Sequence, residues 1–352
     1  MTQIALITDT HWGVRGDSPI FAEHISKFYE EVFFPYLEKH NINFIIHLGD
    51  IVDRRKYINF VTARNLLKDF IEPIRRNNKF LYALIGNHDT FYKNTNEVNS
   101  MDVLYGDRAG FTYVSEPIEI NLDCKILLMP WICTENYQRC MDMIANTDAQ
   151  VLFGHLELKG FEMYKGQPND HGFESSLFDK FDMVCSGHFH HKSSRGNIHY
   201  LGAPYEMTWS DYDDPRGFHV FDTKTRQLTF VQNPNNIFHK IHYNDANLTL
   251  EDILVSDYNQ YKNCVIKVII KNKSNPHLFD MFIDKIEKAG VADLQVVEDH
   301  LNLNLEIDDD ILKDAEDTLT MLTKYATQVS KDKSKQLSKF LHELYSEALT
   351  VE

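Results

Sequence analysis

Phe44-Ile45-Ile46-His47-Leu48-Gly49-Asp50-Ile51-Val52-Asp53 is the stretch that decides the fold. A short apolar run stops at Gly49 and an acid follows at once, as when a buried strand carries a polar side chain to the crevice beyond its carboxyl end. Apolar runs at 4–8, 80–85, 125–129, 151–153 and 183–186 also read as strands, and most end the same way. The blocks that follow them are Asp9-Thr10-His11, Gly86-Asn87-His88-Asp89, Gly154-His155 and Gly187-His188-Phe189-His190. Helical patterns fill 20–39, 61–76 and 135–146, and later strands are expected at 199–201, 217–221 and 228–231. Strands alternating with helices define an α/β fold.

The chain has 352 residues, enough for one large domain and one or two smaller ones. Its formal charge of −16 argues against coating nucleic acid with the whole surface. It leaves room for an acidic site whose charge bound cations would invert. Five cysteines without a CxxC pair argue against a disulfide framework or a thiolate zinc site. Residues 1–7 show no basic leader, and no apolar run reaches membrane-spanning length, so a cytoplasmic location is expected.

The texture changes near Asn244. A strand at 264–270, a helix at 278–288 and strands at 293–298 and 301–307 describe a small α+β module. Between Glu298 and Asp317 stand nine acids against one base, Lys313, which reads as a solvated junction. The rest is helical: Leu312, Ala315, Leu319, Leu322, Ala326 and Val329, then Leu337, Leu341, Leu344, Ala348 and Val351, step by three and four. Such a pair either folds back on its own domain or docks on a partner's helices. The expected domains are therefore 1–243, 244–307 and 308–352.

Each polar block is weak alone, because a D-x-H at a strand end is more often a cap than a ligand. Together the five supply only oxygen and imidazole ligands, which suit Mn²⁺, are compatible with Fe²⁺ or Zn²⁺, and disfavour Ca²⁺. Two such cations about 3.5–4 Å apart lower the pKa of water and neutralise charge on phosphate oxygens.

The order D-x-H, G-D-x-x-D, G-N-H-D, G-H, G-H-x-H resembles the calcineurin-like metallophosphoesterase superfamily over about residues 1–235. That resemblance implies a four-layer fold of two facing mixed β-sheets flanked by helices. It also implies one metal held by Asp9, His11, Asp50 and His190, and another by Asp50, Asn87, His155 and His188, with Asp50 bridging. His88 matches no ligand position and is expected to stabilise the transition state or protonate the departing oxygen. Asp53, taken as one helical turn past Asp50, is expected either to orient His88 through its carboxylate or to serve as a helix-start acid. Asp89 is read as a supporting or capping residue, and His47 and His171 as structural.

Three features favour DNA as substrate. Arg54-Arg55-Lys56 follows the second block, with Arg15 and Lys192 beside others, placing positive charge at the cleft edge. Gly-Asn-His-Asp and Asp-Arg-Arg stand where protein Ser/Thr phosphatases carry Gly-Asn-His-Glu and Asp-Arg-Gly. A minimal phosphatase has no use for the module and tail. In these respects the chain is similar to the SbcD family of double-strand-break repair nucleases, and in length and tail to its phage members, the recombination endonuclease subunits. The likeness implies a manganese-dependent exonuclease and endonuclease with a capping module, and a tail that binds an SbcC-type coiled-coil ATPase. It further implies a homodimer through helices near 61–70 and 96–105. The alternatives are a metallophosphatase or cyclic-nucleotide phosphodiesterase, and a scaffold of the same fold without catalysis.

Overall fold

The structure is a computed structural model that describes residues 2–106, 110–164 and 166–298. The strand expected at 301–307 and the helices of the 308–352 tail lie outside the described residues.

Two six-stranded sheets dominate. In the first, the spatial order is Leu228–Gln232, Gly217–Asp222, Gln3–Ile7, Phe44–His47, Phe80–Leu84 and Phe111–Val114. The last four are parallel, and Gly217–Asp222 runs antiparallel to both its neighbours. In the second, the order is Ser193–Arg195, Ile198–Tyr200, Met183–Gly187, Val151–His155, Lys125–Met129 and Ile118–Asn121, with parallel pairing in the middle and antiparallel pairing at each edge.

Side-chain alternation builds the layers. Ile4 and Leu6 face a cluster shared with Ile126, Leu128, Val151 and Phe153, so the two sheets pack face to face. Ala5 and Ile7 point the other way, onto Phe28, Phe33, Leu66 and Phe70 of the flanking helices. Leu127, Met129 and Leu152 likewise meet Cys140, Ile144 and Phe178. The result is the expected four layers. Burying each large aliphatic or Phe side chain contributes about 1.5–3 kcal/mol, so both faces of each central strand anchor it in the core.

The long helices expected at 20–39 and 61–76 are interrupted. Pro19–Phe28 widens into a π-turn at Tyr29–Phe33 before Phe34–Lys39, and Phe60–Leu66 does so at Leu67–Ile71 before Glu72–Arg76. In both, the wide turn leads into a proline at the start of the next segment, Pro35 or Pro73, whose missing N–H leaves the carbonyl four residues back without its helical donor.

The small module is a parallel three-stranded sheet, Phe238–Asn244, Val265–Asn272 and Asp293–Glu298, covered by helices Leu250–Val255 and Pro276–Lys288. Its core joins Ile266, Val268, Phe279, Phe282 and Ile286. Its first strand begins at Phe238, inside the stretch expected to close the large domain. Phe238 packs on Phe21 at 6.0 Å between ring centroids, and the Glu206 carboxylate accepts the backbone N–H of Ile237 (2.7 Å) and Phe238 (2.9 Å). No helix among the described residues is long and apolar enough to cross a membrane.

Candidate metal centre

Parallel strands in both sheets end in one crevice, and the polar blocks meet there. Two groups of ligand atoms form, each within 4.8 Å: Asp9, His11 and His190, and Asp50, His155 and His188. Asn87 belongs with the second, its Oδ1 lying 2.9 Å from His155 Nε2 and 3.0 Å from His188 Nδ1. Asp50 Oδ2 lies between the groups, 3.2 Å from His155 Nε2 and 3.9 Å from His11 Nε2. All seven expected ligands are thus brought together.

The backbone is bent to achieve this. Asp9 (φ 51°), His11 (φ 39°), Asp50 (φ 56°) and His188 (φ 87°) all sit at positive φ, uncommon for non-glycine residues though tolerated best by Asn, Asp and His, and four together at strand ends need support from the surroundings. Hydrogen bonds supply it. Thr8 Oγ1 donates to Asp9 Oδ2 (2.7 Å), and the N–H of His188 donates to the same carboxylate (3.0 and 3.1 Å). His155 Nδ1 donates to Leu48 O (2.8 Å), which turns Nε2 toward Asp50 and Asn87. Asp89, fully buried, accepts the N–H groups of Ile51, Val52 and Gly86, clamping two of the blocks together. His47 Nε2 lies 3.0 Å from Thr10 Oγ1 and its Nδ1 accepts from Gly49 N, so it braces two loops rather than binding anything.

The electrostatics call for a cation. Burial raises the Asp9 carboxyl; burial would also raise Asp50, but His155, His88 and His11 hold it well below the carboxylate range. Burial alone would lower His11 and His155, yet the neighbouring carboxylates push them up to about 10 and about 9. Burial dominates at the other two: His188 falls to about 3 and His190 falls well below its ordinary value. In each group, then, the surroundings favour the cationic form of one imidazole and the neutral form of the other. His11 Nε2 and His190 Nε2 face each other at 3.0 Å, while His11 Nδ1 is buried without a well-formed hydrogen bond, its nearest acid oxygen, Asp53 Oδ1, being 3.5 Å away. Convergent imidazoles and carboxylates of this kind fit two divalent cations, with the protons as stand-ins.

Asp53 departs from expectation. Residues 51–53 run extended rather than helical, with Val52 bridged to Trp12 and Asp53 N bonded to Trp12 O. Its carboxylate therefore turns to His11, and it is the Asp53 carbonyl that meets His88 Nδ1, at 2.7 Å. His88 is half-buried, its N–H held by Asp50 Oδ1 at 2.8 Å. Fixing Nδ1–H on a carbonyl makes Nε2 the nitrogen that exchanges a proton.

Most of the basic residues expected to face a nucleic acid are engaged within the chain. Arg15 Nε donates to Met207 O (2.8 Å), Arg54 pairs with Asp17 (2.9 Å), Arg55 donates to Thr90 O (3.2 Å), and Lys192 Nζ sits 3.4 Å from the centre of the Phe230 ring. Lys56 is exposed. Trp131 belongs to none of the five blocks; its ring lies 5.1 Å from that of His188 and 6.0 Å from that of His155, forming a wall of the crevice.

Comparison with known proteins supplies the family. The family model of the calcineurin-like phosphoesterases matches residues 2–192, and the chain belongs to that family. Across 98% of its length it is 29% identical to exonuclease subunit 1 of Enterobacteria phage T4, covering 99% of that protein. It is 24% identical over 152 residues to the SbcD component of the nuclease SbcCD of Staphylococcus saprophyticus, a match spanning 41% of this chain and 36% of that one. Among solved structures, an archaeal phosphodiesterase aligns with a TM-score of 0.34 and 13% identity, over 66% of this chain and 99% of its own.

Proposed function

We propose that the chain is the nuclease subunit of an SbcCD-type repair and recombination complex, hydrolysing DNA phosphodiesters as an exonuclease and endonuclease with two Mn²⁺ ions. The observation that carries the reading is the pair of facing ligand groups joined by Asp50. The near full-length similarity to a phage exonuclease subunit supports DNA as the substrate.

Asp9, His11, Asp50 and His190 would hold one ion, and Asp50, Asn87, His155 and His188 the other. Bound there, the ions supply positive charge to the phosphate oxygens and lower the pKa of water. His88 Nε2 presents a proton to the phosphate or the departing oxygen while the Asp53 carbonyl keeps the ring aimed. The Asp53 carboxylate acts on His11 instead. Of the five basic residues expected at the cleft, Lys56 is the exposed one and is proposed to meet the DNA backbone.

In this reading the segment at 244–307 caps the crevice over DNA and the segment at 308–352 binds an SbcC-type ATPase. The homodimer would use the outer face of Phe60–Leu66 and Ser100–Tyr105, where Phe60 is 91% exposed and Val103 72%. The test is substrate choice: with Mn²⁺, the purified protein should release nucleotides from linear duplex DNA. Turnover of a nitrophenyl phosphomonoester or a cyclic nucleotide without any attack on DNA would refute the nuclease assignment.

A further inference from the structure

His190 is gripped from behind by a residue far away in sequence. Arg216, 5% exposed, directs one guanidinium nitrogen to the backbone carbonyl of His190 and the other to Asp211 Oδ1 and Asp214 Oδ2, each at 2.8 Å. The same carbonyl accepts the N–H of Ala203 at 3.1 Å. Asp214 in turn holds His191 Nδ1 at 2.8 Å, so the chain is tied on both sides of the His190 peptide. A buried cation balanced by two carboxylates is costly to desolvate, and the attraction between them together with the bond to the carbonyl offsets that cost only in this geometry.

The grip is one-sided. His188 is held by Asp9 through its N–H, and His155 by Leu48 through its ring; Arg216 has no hydrogen bond to either. We propose that Arg216 is a positioning residue for the Asp9–His11–His190 group alone, fixing the His190 peptide so that Nε2 faces His11 Nε2 at 3.0 Å. This rests on the two-metal reading above. Loss of the clamp weakens one ion and spares the other.

The test measures Mn²⁺ affinity from the free-ion signal in electron paramagnetic resonance, in two backgrounds. His188→Ala leaves the Asp9–His11–His190 group intact, and His11→Ala leaves the Asp50–His155–His188 group intact. Arg216→Lys keeps the charge that Asp211 and Asp214 require but cannot reach all three acceptors. It should weaken Mn²⁺ about 10- to 100-fold in the His188→Ala chain and leave affinity unchanged in the His11→Ala chain. Should lysine prove to hold the carbonyl by itself, Arg216→Met with Asp211→Asn and Asp214→Asn removes the clamp without stranding buried charge, and the same selective loss is expected. Equal effects in both backgrounds, or none in a folded triple variant, overturn the proposal. If the wild-type chain does not bind two Mn²⁺ ions, the two-metal reading falls first and this one with it.

Discussion

Adding one methyl group at Gly187 should disable the crevice. A Cβ built there would lie 2.0 Å from Thr8 Oγ1, 3.0 Å from Asp9 Oδ2 and 3.2 Å from His155 Nδ1. Contacts under 3.0 Å are not sustained, so Thr8 would have to retreat by about 1 Å in a packed interior. The retreat breaks the 2.7 Å bond from Thr8 to the Asp9 carboxylate. Overpacking costs about 1–3 kcal/mol and a charge-assisted hydrogen bond about 1.5–3 kcal/mol, so Gly187→Ala should destabilise the chain by about 3–5 kcal/mol. The displacement reaches a member of each ligand group, and a misplacement of about 1 Å at reacting groups lowers rates about 100-fold. Denaturant unfolding, Mn²⁺ titration and hydrolysis of a nitrophenyl phosphodiester measure the three effects. Gly196→Ala is the control: nothing lies within 4 Å, so only its φ of +60° is penalised, at about 1–2 kcal/mol with metal binding intact. A Gly187→Ala chain that binds two ions and turns over at the wild-type rate would show that the close approach has been misread.

Three further outcomes follow from the same geometry. His88→Ala should lower kcat on DNA about 100- to 1,000-fold with Mn²⁺ binding unchanged, and equal digestion by the two proteins would remove His88 from the mechanism. His11 and His155, raised to about 10 and about 9, must lose their protons to accept a cation, so Mn²⁺ affinity should climb from pH 6.5 to 8.5 by about tenfold per pH unit for each proton displaced; a flat profile would contradict this. Burial pushes Glu206 up to about 7 from 4.5, so between those pH values the folded chain holds a proton that the unfolded chain has released. Metal-free stability should therefore fall by about 3 kcal/mol as pH rises through that window, and Glu206→Gln should abolish that part of the slope in denaturant melts at pH 5 and pH 8.

The candidate ligands are legible in the sequence because their signal is local. An apolar strand that stops at glycine and hands over Asp, Asn or His states both the fold and the position of the side chain. What sequence obscures depends on the path between blocks. Spacing alone puts Asp53 one helical turn beyond Asp50, but the bridge from Val52 to Trp12 holds that segment extended, which exchanges the roles of its carboxylate and carbonyl. Arg54 reads as an exposed cation until Asp17, 37 residues earlier, is found beside it. Arg216 and Trp131 carry no motif, and only the folding of distant loops brings them to the crevice. The two π-turns have a readable cue in Pro35 and Pro73, though amphipathic periodicity runs through both and conceals it.

The most direct test of the central claim is anomalous diffraction at the manganese edge from crystals grown with Mn²⁺. The account predicts two peaks about 3.5–4 Å apart on either side of Asp50, one against Asp9, His11 and His190 and the other against Asn87, His155 and His188. A single peak, or a pair bound elsewhere, would contradict it.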